Sequence, residues 1–230
     1  MIGGLRTVVS SAMPASVSAP LLGDQRVNVR VPLGTNEELK GFKPFFKEQR
    51  AWAQEQLAAS LAGMTSREAG ARRGRWEDEK AELRRRGQLI DSRDALVTGG
   101  LCAVLEERGW NRDWGDIPQQ AKAPGRSCAS PQSGWPEEVN VRLPVDLVNL
   151  VLAACWHTSK QARDELERWK ARHPKARPTK PSRARCDAAA LAEYQELRNK
   201  INHRGDVWRE AVASGIRIAR TARDTVTGVG

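Results

Sequence analysis

Two short stretches of the chain alternate apolar and polar residues and then stop at a proline: Val27-Asn28-Val29-Arg30-Val31-Pro32 and Val139-Asn140-Val141-Arg142-Leu143-Pro144. Period-two alternation over five or six residues reads as a half-buried strand, and proline closes it because it cannot donate to a ladder. The valines and leucine of each copy face a core. Asn28, Arg30, Asn140 and Arg142 fall on the opposite face.

Downstream of each strand the periodicity becomes helical. Ser92 to Leu101 and His203 to Val212 both open with small or polar residues. Apolar residues then follow at helical spacing: Leu96, Val97, Leu101 and Leu105 in one, Val207, Trp208, Val212 and Ile216 in the other. Each predicts an amphipathic helix, capped at Ser92 and near Gly205, with Gly109 closing the first. Gly99 and Gly100 weaken that helix by propensity, so they predict close packing against another helix. Pro32 and Arg93 are 61 positions apart, Pro144 and Arg204 60, which makes strand and helix parts of a duplicated unit of about 112 residues.

Between strand and closing helix each half has a mostly helical pattern. In the second half Leu147, Val148, Leu150, Val151, Leu152, Ala154 and Cys155 are apolar almost all round, which predicts burial. The same helix is expected to continue, amphipathic and charged, through Trp169 and to break at His173-Pro174. A basic loop follows, then a helix from about Asp187 to Lys200. In the first half Phe42, Phe45, Phe46, Trp52, Leu57 and Leu61 form the apolar stripe, and Pro44 must begin or kink the helix. Gly63 ends it, and Thr65 with Glu68 has the capping-box pattern. The segmentation is a disordered leader over 1–24, a first unit over 25–109, a Gly-, Pro-, Ser- and Gln-rich linker over 110–136, a second unit over 137–220 and a disordered tail over 221–230.

Charge narrows the partner. The 230 residues carry a formal charge of +10, which favours a polyanionic partner and does not separate nucleic acid from an anionic membrane or a merely soluble basic protein. The four cysteines, Cys102, Cys128, Cys155 and Cys186, form no CxxC pair, and His157, His173 and His203 offer no ligand spacing. Neither a metal site nor a disulfide framework is expected. Cys102 and Cys155, inside apolar helices, read as small hydrophobes. No run approaches the roughly 18 apolar residues of a membrane span. The expectation is a cytoplasmic, nucleoid-associated protein with no membrane partner.

A strand ending in proline, a helix, and a second helix opening with a small-or-polar/Arg pattern resembles the ribbon-helix-helix family of DNA-binding proteins. Arg26-Val27-Asn28-Val29-Arg30-Val31-Pro32 is similar to the strand of its Arc-type repressors. The resemblance implies a mainly α fold, a tandem ribbon-helix-helix pseudo-dimer whose two strands form an antiparallel ribbon, with extended helical insertions. It implies that the open face of the ribbon enters the major groove of double-stranded DNA. The base readers carried over by position are Arg26, Asn28 and Arg30 from one half and Glu138, Asn140 and Arg142 from the other. Ser92, Arg93 and Asp94, and Arg204 and Gly205, would hold phosphates at the start of the second helices. The chain departs from the pattern where about forty extra residues separate the two helices of each half. Those insertions are expected to form an elongated second lobe. Because Arg26 corresponds to Glu138, the implied site is an imperfect palindrome.

The one-sided basic run contributes candidate flanking phosphate contacts at Lys175, Arg177, Lys180, Arg183 and Arg185. Arg84, Arg85 and Arg86, surrounded by acids, read as solvated helix surface. Trp52, Trp156, Trp169 and Trp208 read as helix packing, and Trp110, Trp114 and Trp135 as pins holding the linker to the domain. No Ser/His/Asp set, paired carboxylates or phosphate-cradling glycine loop is present, so no enzyme, cofactor or small-molecule substrate is expected. Four readings stay open: a transcriptional repressor, an accessory DNA-binding protein of plasmid transfer or partition, a helical scaffold that binds no DNA, and nonspecific nucleic-acid binding through the basic loop. Self-association on DNA is also left open.

Overall fold

The two alternating stretches pair with each other. The computed structural model describes residues 23–118, 135–176 and 187–227, with side chains to 225. Among them, in chain order, are β1 (Asp24–Val31), α1 (Thr35–Gly41), α2 (Lys43–Leu61), α3 (Ser66–Arg85), α4 (Arg93–Glu107), β2 (Glu137–Pro144), α5 (Val145–Thr158), α6 (Lys160–Arg172), α7 (Ala188–Asn199) and α8 (Arg204–Thr227). The protein is mainly helical with one two-stranded antiparallel sheet, in which Val27 faces Val141, Asn28 faces Asn140 and Val29 faces Val139. Val29, Val31, Val139, Val141 and Leu143 are at most 2% exposed, and Val27 is half-buried. Each fully buried side chain contributes about 1.5–3 kcal/mol before entropy is subtracted. A slip of one residue would turn all of them to water, so burial sets the register.

Beneath the ribbon lie α4 and α8, with α1 and α5 also in contact with the strands. Leu96, Val97, Leu101, Leu105, Val207, Trp208, Val212 and Ile216 join the strand residues in one core, together with Phe42, Phe45, Phe46, Leu147, Val148 and Val151. The two central helices approach at their glycines. A Cβ on Gly100 would lie 2.1 Å from the Ala211 carbonyl oxygen, and one on Gly215 2.3 Å from that of Leu96. Gly99 faces a different neighbour, 3.0 Å from Gly87 Cα by the same construction. Arg108 clamps the two helices at one end, its Nη2 lying 2.6 Å from Glu210 Oε2.

Local signals account for several boundaries. Ser92 Oγ accepts from Ala95 N at 3.1 Å and caps α4, and Thr65 with Glu68 forms the capping box of α3. Pro44 lies in the first turn of α2, Gly63 and Gly109 follow the ends of α2 and α4 in left-handed conformation, and Asp187 caps α7.

Five expectations are corrected. The helix expected to run unbroken from β2 to His173 divides at Ser159, which is fully buried and whose Oγ accepts from Asn202 N at 2.8 Å. The expected disordered tail begins as helix: α8 continues to Thr227, with Arg220 paired to Glu38 at 2.5 Å and Ala222 packed on the core. Trp52 is 41% exposed because Phe46, Ala53 and Leu57 set the buried face of α2 and Trp52 lies one position off it. Arg84 is no free surface cation; its guanidinium makes a two-pronged bond to the buried Asp91, 3.0 Å and 2.6 Å, and Arg85 reaches Asp146 at 2.7 Å.

Fifth, the two excursions do not join into the expected elongated second lobe. Leu166, Trp169, Ala176, Ala190, Tyr194 and Leu197 form one small cluster, whereas Ala53, Trp76 and Leu89 form another. Trp110 is buried in the main core, Trp114 packs half-buried against it, and Trp135 lies under the Arg209 guanidinium at 4.7 Å. No helix among the described residues is long and apolar enough to cross a membrane.

Candidate nucleic-acid interface

Because β1 and β2 bury one face, the alternate positions of both strands form an open polar face. Arg26, Asn28, Arg30, Glu138 and Arg142 are exposed and Asn140 is half-buried, and the pleat puts all six on the open side. Across the ladder Arg26 opposes Arg142, Asn28 opposes Asn140 and Arg30 opposes Glu138. Among the described residues, neither asparagine side chain has a hydrogen-bond partner and neither Arg26 nor Arg142 has an acidic one. Arg30 Nε lies 3.5 Å from Glu138 Oε2. One end of the ribbon therefore presents two unneutralised guanidinium groups, and the other a cation beside an anion.

The Arg30–Glu138 end is anchored by a residue that sequence reasoning passed over. Glu137 Oε1 accepts from Gly34 N and Oε2 from Asn36 N, each at 2.8 Å, so its carboxylate sits on the first amides of α1. Those amide bonds hold its pKa below the ordinary carboxylate value, Asn36 contributing most. Asn36 Nδ2 also reaches the Glu138 carbonyl at 3.4 Å. The partners of Glu137 lie about a hundred positions back in the chain, so no local pattern marks the residue.

The two expected phosphate sites differ. At the start of α4, Ser92, Arg93 and Asp94 form one wall of an open cleft of about 530 Å³, opposite Asn36, Lys40, Lys43 and Arg50. Arg93, Lys43 and Arg50 are exposed, and Asn36 links the cleft to the ribbon. Arg93, Lys43 and Arg50 thus line one cleft with the first residues of α4, Asp94 among them, and Lys40 there is paired with Glu37; a helix start beside cations suits an oxyanion. Lys43 and Arg50 were not singled out from sequence, since only folding brings α2 against the start of α4.

At the start of α8 the surroundings are more closed. Arg204 and Gly205 are half-buried, and a Cβ on Gly205 would lie 3.4 Å from Nη1 of Arg209, a guanidinium that pairs with Asp206. His203, just before this helix, is held below its ordinary pKa, chiefly by burial. In the basic run Lys175 is exposed, while Arg177, Lys180, Arg183 and Arg185 lie outside the described residues. Burial pushes the Cys102 thiol up to about 11 and the Cys155 thiol up to about 12, so neither supplies a thiolate at neutral pH. Cys128 and Cys186 lie outside the described residues.

Set against family models, curated proteins and solved structures, the chain matches none of them.

Proposed function

We propose that the chain is a sequence-specific double-stranded DNA-binding regulator that reads the major groove with the β1–β2 ribbon. The observation that carries this reading is the open face, where Arg26 stands opposite Arg142 and Asn28 opposite Asn140 without partners within the described protein. Like charges directly opposite each other on a ladder cost stability. Amides left to water add little to the fold. A polyanion carrying base edges gives both pairs a use: arginine donates to guanine O6 and N7, and asparagine bonds adenine N6 and N7. The major groove, about 12 Å wide, admits a two-stranded ribbon.

A tandem ribbon-helix-helix pseudo-dimer is the arrangement that best explains the pairing. Asn28 faces Asn140, its counterpart 112 positions on, and at the helix crossing Gly100 meets Ala211, 111 positions on. Two contacts that each join a residue to its own counterpart are what a local twofold axis would produce. In this arrangement the α4 cleft would hold a backbone phosphate beside the groove and fix the height of the ribbon on the duplex.

The test is selection of bound duplexes from a random pool, followed by footprinting. Asn28→Ala combined with Asn140→Ala is expected to weaken binding to the selected site by about thirtyfold or more, from a loss of about 1–3 kcal/mol per contact. Folding and weak, salt-sensitive binding to any duplex should remain. An unchanged footprint at unchanged affinity would show that the ribbon is not the reader.

A further inference from the structure

We infer that the ribbon is directional and that Glu138 sets which way round the chain lies on its site. This rests on the DNA-binding reading and adds what each end of the ribbon recognises. At the centre, Asn28 and Asn140 are chemically identical and face each other, so they give no direction. Under the repeat Arg30 corresponds to Arg142, which leaves Arg26 against Glu138 as the one difference among the six face residues.

The register turns that one difference into two unlike ends. The opposed pair Arg26–Arg142 offers only donors, and guanine offers only acceptors at its major-groove edge. Two opposed arginines therefore suit a guanine on each DNA strand. At the other end the Arg30 guanidinium and the Glu138 carboxylate lie side by side at 3.5 Å, a donor group next to an acceptor. That couple complements a single G·C pair, with Arg30 on the guanine acceptors and Glu138 on the cytosine amino group. It also repels a second guanine, whose acceptors would face the carboxylate.

The couple is held in place. Glu137 ties the adjoining backbone to Gly34 and Asn36, and Asn36 holds the Glu138 carbonyl. The strand end that carries Glu138 therefore meets DNA on an anchored backbone, with the Arg30–Glu138 contact on its open face. A chain with two arginine ends would lie equally well either way round; this one is keyed.

The test compares wild type with Glu138→Arg, using duplexes selected from a random pool by each. Wild type is expected to select a site with unlike halves, and to bind a symmetric duplex carrying the guanine-rich half on both sides about tenfold or more weakly. Glu138→Arg is expected to select that symmetric duplex and to reverse the preference. Residue 138 is exposed, and unchanged circular dichroism and melting would establish that the variant folds. If wild type selects a palindrome, or if both proteins select the same site, the inference is wrong while DNA binding stands. If neither protein binds duplex at low salt, the DNA-binding reading itself falls.

Discussion

Gly100→Ala adds one methyl group at the point where α4 and α8 are closest. The new Cβ would lie 2.1 Å from the Ala211 carbonyl oxygen and 2.4 Å from Gly215 N, where ordinary contact is 3.4–4 Å. The obstructing atoms are backbone, so no rotamer change can clear them, and the helices must move apart by about 1 Å. A gap of that size forfeits about a quarter to a half of each dispersion contact across it. Leu96, Val97, Leu101, Val207 and Val212, all at most 2% exposed, pack around this crossing. Overpacking costs about 1–3 kcal/mol, and a backbone-to-backbone clash belongs at the upper end. For a chain of this size about 3 kcal/mol lowers Tm by about 6–12 °C.

Gly74→Ala makes the same chemical change in α3, where a Cβ would meet nothing within 4 Å. Relief of the glycine penalty in a helix should there raise stability by about 0.5–1 kcal/mol. The two variants should thus move in opposite directions in thermal melts followed by far-UV circular dichroism. A Gly100→Ala protein that melts within a degree of wild type would refute the close approach of the helices. Equal losses in both variants would mean that helix propensity and space do not decide the outcome.

Two further outcomes follow from single groups. Asp91→Ala removes a buried carboxylate that takes two bonds from Arg84, and should cost about 2–3 kcal/mol in urea unfolding; a loss under 0.5 kcal/mol would show that water replaces the carboxylate freely. Burial of His203 holds its folded pKa below 6.5, so the unfolded chain takes up the proton first as pH falls. Stability is then full above 6.5 and declines as pH drops from 6.5 towards the folded value. His203→Gln should flatten the fall in Tm between about pH 7 and about pH 5, and parallel profiles would refute the assignment.

What could be read from the sequence was what local chemistry decides. Alternation ending at Pro32 and Pro144 marks the strands, and the requirement that Asn28 and Asn140 share one open face already implies their pairing. Ser92 and the Thr65–Glu68 box act within one turn of helix, so they too are visible in the sequence. What escaped depends on partners far along the chain. Ser159 divides a helix because Asn202 reaches it from 43 positions away, and Glu137 caps a helix that begins about a hundred positions earlier. The half-buried role of Arg84 depends on the turn that brings Asp91 back seven positions later.

The long excursions over 62–92 and 159–203 are compatible with the ribbon for the same reason that they were hard to read. Loop-closure entropy grows only logarithmically, by about 0.6 kcal/mol per doubling of length, so forty residues between two framework helices cost little if they order themselves. They do so locally. Trp169 donates its indole N–H to the Ala190 carbonyl at 3.1 Å and packs on Tyr194, closing α6 on α7, while Trp76 and Leu89 close α3 over Ala53. Arg84 then meets Asp91 immediately before α4 begins, and Asn202 meets Ser159 just before α8. Each excursion returns the chain to its central helix on contacts of its own. Among the described residues the ribbon packs in any number only on α1, α4, α5 and α8, so the excursion helices α3, α6 and α7 leave its open face uncovered. An insertion that borrowed its stability from the strands would have had to cover them.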